Sequence, residues 1–302
     1  MTAPPAPTPE RAAAGTAFTV LAAAGFAAVS TLTSIAIAHG ASLPNVLTWR
    51  YVLASVVMVG WVGARGAARM ASGEVAKFVV IGGGGQALLV GLALSSIAYI
   101  PVATLAFLFY TYPTWVTLVQ AVRGAERLTA RRAAALAFSF GGVVIIAGTP
   151  GAASAGRAWW TGVALALSAA IVYGAYIPTM QALQKSHRVS VTSALAKVGS
   201  AACFLLWSAG TGTFDWALPL PAWQAIVTLT LGSTVLPSVF FLMGLMRLGP
   251  VRTAIVSTVE PFLTALIGAA VLGQPLTPRI GVGGAMIVAA VVLLQVRRER
   301  VA

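Results

Sequence analysis

The sequence repeats itself, and this repeat constrains the fold more than any other feature of the chain. The stretch 101–132 contains PVAT, then Pro113, then GAERLT, and the stretch 250–279 contains PVRT, then Pro261, then LGQPLT. From the second proline onward the two copies align without a gap at an offset of 148, so that Pro113 pairs with Pro261. Internal repetition of this length predicts two similar structural units that pack against each other.

Earlier parts of the two copies align at an offset of 147, which pairs Arg50 with Lys197 and Phe26 with Tyr173. We therefore predict one integrated unit in four parts, because neither copy is expected to be stable alone. The parts are a proline-rich disordered tail, a first repeat, a glycine- and alanine-rich connector and a second repeat, at residues 1–10, 11–150, 151–158 and 159–302.

Ten long apolar stretches account for most of the chain. The sequence is 59% hydrophobic and 8% charged, whereas a soluble domain carries about 25% charged residues. A helix needs about 20 apolar residues to cross a bilayer, and continuous runs of that length are unlike the alternating strands of a membrane barrel. The stretches lie at about 16–38, 44–64, 77–98, 101–121, 131–149, 159–182, 190–211, 222–246, 250–272 and 279–296.

These stretches predict an all-α polytopic membrane protein of ten transmembrane helices. Each repeat contains five of them, and because five is odd, the second repeat enters the membrane in the opposite orientation to the first. The expected fold class is therefore two inverted five-helix repeats, an arrangement that places a binding site near the middle of the membrane.

The distribution of basic residues gives the orientation. With the N-terminus in the cytoplasm, fifteen Lys and Arg residues outside the spans or at their ends fall on the cytoplasmic side, and two, Arg157 and Arg279, fall on the outer side. This asymmetry predicts that both termini are cytoplasmic. The net charge of +13 therefore reflects topology, with the lipid bilayer as the partner, and we expect no nucleic-acid binding.

Three charged residues lie inside predicted spans: Arg50, Lys197 and Glu260. A charge at the centre of a membrane helix is costly, so such residues usually face the protein interior and have a partner. The helices that carry Lys197 and Glu260 enter the membrane from the same side, and the two residues lie at similar depths. This placement predicts an ion pair. Two alternatives stay open: Glu260 titrates or contacts a substrate ammonium group, or Lys197 reaches the inner surface without a partner.

Prolines and aromatic residues mark the other candidate positions. Pro113, Pro237 and Pro261 lie inside spans and predict helix bends, since proline removes a helical hydrogen bond; static shape and a moving hinge both remain possible. The side chains expected to contact a substrate are four aromatic residues and two polar ones, namely Phe26, Tyr110, Tyr112, Tyr173, Gln86 and Glu260. Ordinary packing is an equally good interpretation of the aromatic residues.

Enzyme chemistry finds little support in the sequence. Asp215 is the one aspartate, and His39 and His187 fall in loops on opposite sides of the membrane. A membrane enzyme that acts on phosphorylated lipid would need paired acids to hold Mg²⁺. We expect no catalytic residue, no metal site and no cofactor.

Several segments resemble the drug/metabolite transporter superfamily, in particular its ten-helix EamA-like branch. The FYTYP segment further resembles bacterial aromatic amino-acid exporters, from whose pattern Glu260 departs. The resembling segments are ALSSIAYIPVA (93–103), GLMRLGPVRTA (244–254), GAERLT (124–129), LGQPLT (272–277), TWRY (48–51) and FYTYP (109–113).

This resemblance implies export of a small-molecule substrate, an aromatic or other neutral amino acid, across a bacterial plasma (inner) membrane by alternating access. One chain contains both halves of the pathway, so a monomer suffices. The alternatives are a broader drug or metabolite exporter, a membrane enzyme acting on a lipid-linked substrate, and a membrane scaffold.

Overall fold

The fold is a bundle of helices, seen in a computed structural model that describes residues 9–66, 70–122, 129–148, 151–184, 187–248 and 250–295. Within these ranges every regular element is a helix. Nine of the described helical stretches are long and apolar enough to cross a membrane, and a tenth, Pro278–Leu294, is apolar but slightly shorter. The prediction of an all-α, multi-pass membrane protein is confirmed.

We number the membrane-crossing stretches spans 1 to 10 in chain order. Spans 1 to 5 consist of Pro9–Ala27 with Val29–Ala38; Leu43–Ala64; Ser72–Lys77, Phe78–Gly83, Gly84–Ser95 and Ser96–Ala98; Val102–Phe109 with Tyr112–Val122; and Ala130–Ala147. Spans 6 to 10 consist of Gly151–Gln184; Val189–Gly210; Leu220–Thr230, Leu231–Val235 and Leu236–Leu248; Pro250–Ser257 with Glu260–Leu272; and Pro278–Gln295.

Some sequence expectations fall outside the described residues or at their edge. Residues 1–8 of the predicted tail and 123–128 around the GAERLT segment lie outside the described ranges, and Pro9 already begins the first helix. The predicted connector is helical from Gly151 onward, with a break at Gly156, where φ is 52° and ψ is −131°. Glycine adopts this positive φ without the steric cost that a side chain would add.

Spans 4 and 9 are each broken in the middle, at equivalent places. The first helix of span 4 ends at Phe109 and the first helix of span 9 ends at Ser257, which is 148 residues later. The second helices begin at Tyr112 and Glu260, again 148 residues apart. Pro113 and Pro261 follow directly, and neither can donate the backbone hydrogen bond that would continue the preceding helix.

Spans 3 and 8 each contain a π-helical turn, at Phe78–Gly83 and Leu231–Val235 respectively. In span 8 the wider turn allows the Thr234 hydroxyl to donate to the carbonyl of Leu229, five residues earlier, at 3.0 Å. Pro237 lies in the first turn of the helix that follows. Such turns locally misalign the helical ladder and are frequent at functional sites.

Spans 5 and 10 cross with their backbones in contact. A Cβ atom placed on Gly142 would lie 2.5 Å from the carbonyl oxygen of Gly283, and one placed on Gly283 would lie 2.7 Å from the carbonyl oxygen of Gly142. Small residues at such crossings permit the close helix approach that drives association in lipid. This glycine crossing brings the backbones of spans 5 and 10 into direct contact.

The two spans also begin alike. The Thr129 hydroxyl accepts the N–H of Arg132 at 3.4 Å at the start of span 5, and the Thr277 hydroxyl accepts the N–H of Ile280 at 3.3 Å at the start of span 10. Both threonines are N-caps, and each supplies an acceptor to a backbone donor that the helix itself cannot satisfy.

Candidate functional site

Two cavities lie in series between the helices. The first, which we call the vestibule, has a volume of about 550 Å³ and extends to Trp61, Gln184 and Val189, at the end of the bundle where span 1 begins. The second, which we call the central cavity, has a volume of about 410 Å³ and lies deeper, between spans 1 to 4, 6, 8 and 9. Both volumes are in the range typical of small-molecule sites.

Three aromatic residues, Phe26, Tyr173 and Phe241, line both cavities. They therefore form the boundary between the vestibule and the central cavity. Phe26 and Tyr173 are the residues that the 147-residue offset pairs, so the two repeats contribute equivalent side chains to this boundary. Both were predicted from the sequence to contact a substrate, whereas Phe241 was not singled out.

An aromatic wall covers one side of the central cavity. The ring of Tyr173 stacks on Phe109 with centroids 5.4 Å apart and planes 13° apart, and it lies 4.7 Å from the ring of Tyr112. Tyr112 in turn contacts Tyr110 edge to face, with centroids 5.8 Å apart. All four rings line the central cavity. Ring arrangements of this kind contribute specific geometry in addition to buried apolar area.

Tyr110 connects this wall to the break in span 9. Its hydroxyl donates a 2.6 Å hydrogen bond to the carbonyl oxygen of Ser257, the oxygen that would accept from residue 261 if that residue were not proline. The Glu260 carboxylate lies 3.5 Å from the same hydroxyl. A hydroxyl carries one proton, and the two distances assign that proton to Ser257. Glu260 therefore lines the central cavity with accepting capacity to spare.

Arg50 lines the central cavity from span 2. Its side chain is 6% exposed, and its Nε donates to the Thr234 hydroxyl in the π-helical turn of span 8 at 3.0 Å. Its Nη1 is buried without a hydrogen-bond partner. Buried polar atoms nearly always have a partner, so this guanidinium retains unused donors. Thr234 could not be identified from the sequence, because no motif links it to Arg50.

Lys197 lines the vestibule, and its ammonium group lies 5.1 Å from the ring centroid of Tyr51, a cation–π distance. The Arg50 guanidinium lies 5.4 Å from the same ring. Among the described residues, the ion pairs join Glu74 to Lys77 and to His187. The predicted pair between Lys197 and Glu260 is therefore absent. The sequence predicted similar depths for the two residues, but Lys197 lines the vestibule whereas Glu260 lines the central cavity.

Gln86 lies in the vestibule rather than in the central cavity. Its side-chain oxygen is 3.3 Å from the Ser200 hydroxyl, which is also within 3.0 Å of the carbonyl oxygens of Gly83 and Ala196. Gln86 is therefore positioned where span 3 packs against span 7. The predicted polar contact with a substrate stays a prediction for the vestibule.

The three predicted helix bends differ in their relation to the site. Pro261 lines the central cavity beside Glu260. Pro113 contributes to the site through the break that separates Phe109 from Tyr112. Pro237 packs against span 1, where a Cβ atom placed on Gly25 would lie 3.1 Å from the Pro237 Cβ and closer still to its ring.

Comparison with known proteins agrees with this architecture. Residues 160–296 match the EamA-like transporter family. The matched segment covers most of the predicted second repeat, and the match supports the drug/metabolite transporter superfamily and a membrane transporter of small metabolites. No curated protein matches the sequence.

Comparison with solved structures identifies proteins of similar fold. Fourteen solved chains match this one. One of them, a crystal structure, superimposes with a TM-score of 0.64 over 93% of this chain and 96% of its own length, at 19% sequence identity. Similarity at this level of identity concerns the fold alone.

Proposed function

We propose that this chain exports small amphipathic metabolites, with aromatic or other neutral amino acids as the main substrates, by alternating access through the central cavity. The observation that carries the proposal is the serial arrangement of the two cavities, with equivalent aromatic residues of the two repeats at their boundary. This arrangement gives a substrate a path from the end of the bundle where span 1 begins, through the vestibule, to the central cavity between the two repeats.

Contacts that exchange between the repeats support an inverted arrangement. A Cβ atom on Gly15 of span 1 would lie 2.8 Å from Leu248 at the end of span 8, and one on Gly162 of span 6 would lie 2.7 Å from Ile100 at the end of span 3. Gly162 follows Gly15 by 147 residues, and Leu248 follows Ile100 by 148. Replacement of each residue by its counterpart in the other repeat converts the contact of Gly15 with Leu248 into that of Gly162 with Ile100. A twofold axis in the membrane plane requires such paired contacts.

Hydrogen bonds at the far end of the bundle, where span 1 ends, support a conformation open toward the vestibule and closed beyond the central cavity. There the Asn45 side chain donates to the carbonyl oxygen of Asp215 at 2.9 Å, and the Val102 N–H donates to the Gln274 side chain at 2.9 Å. Arg279 also donates to the carbonyl oxygen of Gly148. Each bond joins a residue of the first repeat to a residue of the second, so an outward-open state would have to break several of them.

The basic-residue asymmetry supports an orientation with both termini and the vestibule on the cytoplasmic side, and the proposed location is a bacterial inner membrane. In this orientation the vestibule admits substrate from the cytoplasm, which is the direction required for export. A single chain supplies both repeats and both cavities, so the proposed unit of transport is a monomer, with the small-molecule substrate and the lipid bilayer as its partners.

Counterflow in liposomes tests the proposal. The purified chain would be reconstituted in vesicles loaded with unlabelled amino acid, and entry of labelled phenylalanine, tyrosine, leucine and alanine would be measured. We expect accumulation of the aromatic and larger neutral amino acids, and its loss in Tyr173→Ala but not in Tyr99→Ala, whose side chain is exposed outside both cavities. Transport of ethidium without any amino acid would favour a broader drug exporter, and no transport of either probe would refute the proposed function.

A further inference from the structure

We propose that Arg50 is the receptor for the carboxylate of a zwitterionic amino acid, whose ammonium group binds Glu260 in the same cavity. The sequence analysis identified Arg50 as a charged residue inside a predicted span and did not include it among the expected substrate contacts. This inference rests on the proposed transport function and adds the chemical class that the site selects: a compound with an acidic and a basic group on one carbon atom, attached to an apolar side chain.

The first observation is that Arg50 lacks an acidic partner among the described residues. It is buried, it lines the central cavity, and one of its terminal nitrogens makes no hydrogen bond. An unpaired charge inside a protein is strongly destabilising, unlike one that is paired and fully hydrogen-bonded. A carboxylate is the ligand that best matches the planar fork of a guanidinium, because it accepts two parallel hydrogen bonds.

The second observation is that Arg50 is oriented from one edge. Its Nε is fixed by the Thr234 hydroxyl, which itself donates to the carbonyl of Leu229 in the π-helical turn. A guanidinium that is held at Nε keeps its outer nitrogens for another acceptor. The π-helical turn of span 8 thus acts as a positioning element for Arg50, and Thr234 is its positioning residue.

The third observation is an acid in the same cavity that does not pair with Arg50. Glu260 lies at the break of span 9, and the proton of the nearby Tyr110 hydroxyl is used by the Ser257 carbonyl oxygen. The cavity therefore presents unused donors at one residue and unused acceptors at another. An amine alone would leave Arg50 without a partner, and an acid alone would leave Glu260 without one, whereas a zwitterion satisfies both.

The walls of the cavity complete the match with an aromatic amino acid. Phe109, Tyr112 and Tyr173 form the aromatic surface described above and lie in the same cavity as Arg50 and Glu260. An apolar side chain placed against these rings is removed from water while its two charged groups remain paired. The arrangement selects against organic cations that lack a carboxylate, which separates this proposal from a broad drug exporter.

The test compares four competitors of labelled L-phenylalanine in counterflow: unlabelled L-phenylalanine, phenethylamine, L-phenylalaninamide and 3-phenylpropionate. The middle two lack a carboxylate, and the last lacks an ammonium group. For the unmodified protein we expect phenylalanine to compete at concentrations about tenfold or more below those of the other three, since each missing group removes a charge-assisted contact.

The variant Arg50→Gln should weaken phenylalanine about tenfold or more while changing phenethylamine by less than about threefold, because only the former contacts the guanidinium. Arg50→Lys should restore part of the difference, since it keeps the charge but not the fork. Arg65→Gln is the matched control, because Arg65 is an exposed arginine at the end of the same span. Thermal-shift binding in detergent provides a second measurement if a variant does not reconstitute.

Equal weakening of phenylalanine and phenethylamine by Arg50→Gln would show a merely structural role and overturn the inference. So would competition by phenethylamine or by 3-phenylpropionate as strong as that by phenylalanine in the unmodified protein. Both results leave the proposed transport function intact, since the labelled amino acid is still carried. Absence of phenylalanine counterflow in the unmodified protein, together with no thermal shift, would refute the transport proposal and this inference together.

Discussion

The Tyr110 hydroxyl bonds the Ser257 carbonyl oxygen at 2.6 Å and thereby substitutes for the backbone donor that Pro261 lacks. In a membrane interior an unsatisfied carbonyl oxygen is costly, because no water is present to donate the missing hydrogen bond. A side chain of the first repeat thus satisfies the broken helix of the second. Tyr110 of span 4 therefore stabilises the break in span 9, and residues of this break line the central cavity.

Tyr110→Phe should lower stability. Removal of the hydroxyl leaves the Ser257 oxygen without its donor, and an unsatisfied buried acceptor costs about 1–3 kcal/mol. The measurement is thermal unfolding of the purified protein in detergent. Tyr99→Phe, at an exposed tyrosine, is the control and should leave the midpoint unchanged. An unchanged midpoint for Tyr110→Phe would contradict this account of the bond.

Pro261→Ala should reduce transport without lowering stability. The alanine restores an N–H that competes with Tyr110 for the Ser257 oxygen and tends to straighten span 9, which would move Glu260 relative to the aromatic wall. We expect a loss of counterflow of about tenfold, since small misplacements in a site have effects of this order. Pro278→Ala is the matched control, because Pro278 begins span 10, where a missing N–H has no helical acceptor. Full activity of Pro261→Ala would show that the break is not required.

Glu260→Gln should abolish any dependence of transport on a pH gradient. Glu260 is the one carboxylate in the sequence that lies well inside a predicted span, and a proton bound there would compete with a substrate ammonium group. Uptake should be measured with and without an imposed gradient. Glu74→Gln, at a carboxylate near the start of span 3 that pairs with Lys77, should behave like the unmodified protein. Retained gradient dependence in a folded Glu260→Gln protein would assign proton coupling elsewhere, and unchanged transport would remove Glu260 from the mechanism.

Phe26→Ala should open the boundary between the vestibule and the central cavity. Because Phe26 lines both cavities, its loss removes one of the three rings that separate them. We expect weaker apparent affinity for phenylalanine, by about tenfold, through lost apolar burial of roughly 1–3 kcal/mol. Phe138→Ala, at an exposed ring on span 5, is the control. Equal affinity in both variants would show that Phe26 does not contact the substrate.

Gly199→Ala should destabilise the packing of span 7 on span 3. A Cβ atom at Gly199 would overlap the backbone of Val79 and Gly83, and backbone cannot move aside as a flexible side chain can. Overpacking of this kind costs about 1–3 kcal/mol or more. Thermal unfolding should show the loss, while Gly63→Ala, where the added atom meets nothing within 4 Å, should not. Comparable midpoints for the two variants would contradict the close approach of spans 3 and 7.

The sequence predicts the bundle well because hydrophobic length and proline position are local properties. Each apolar stretch became a helix with ends within a few residues of those expected, apart from the longer spans 1, 3 and 6, and the breaks at Pro113 and Pro261 fell at matching places. Depth in the membrane follows from the same local reasoning. The rotation of a helix about its axis does not, because a membrane helix can be apolar on every face.

This difference explains where the sequence prediction of the site failed. Lys197 and Glu260 were placed at similar depth but face different cavities, so the predicted ion pair does not form. The partner of Arg50 is Thr234, whose position depends on a π-helical turn with no recognised sequence signature. Phe241 was overlooked because it is one apolar residue among many in span 8. The candidate residues near the breaks could be proposed from the sequence because Pro113 and Pro261 mark the positions of the breaks.

The glycine crossing of spans 5 and 10 makes these two helices a fixed frame for spectroscopy. Backbones in contact cannot slide past each other without collision, so labels on these helices should keep their separation while other spans move. Cys203 is the one cysteine in the chain, and its replacement gives a background in which pairs of spin labels can be introduced at will. Distances from this frame to spans 4 and 9 would then report opening and closing of the route as absolute displacements.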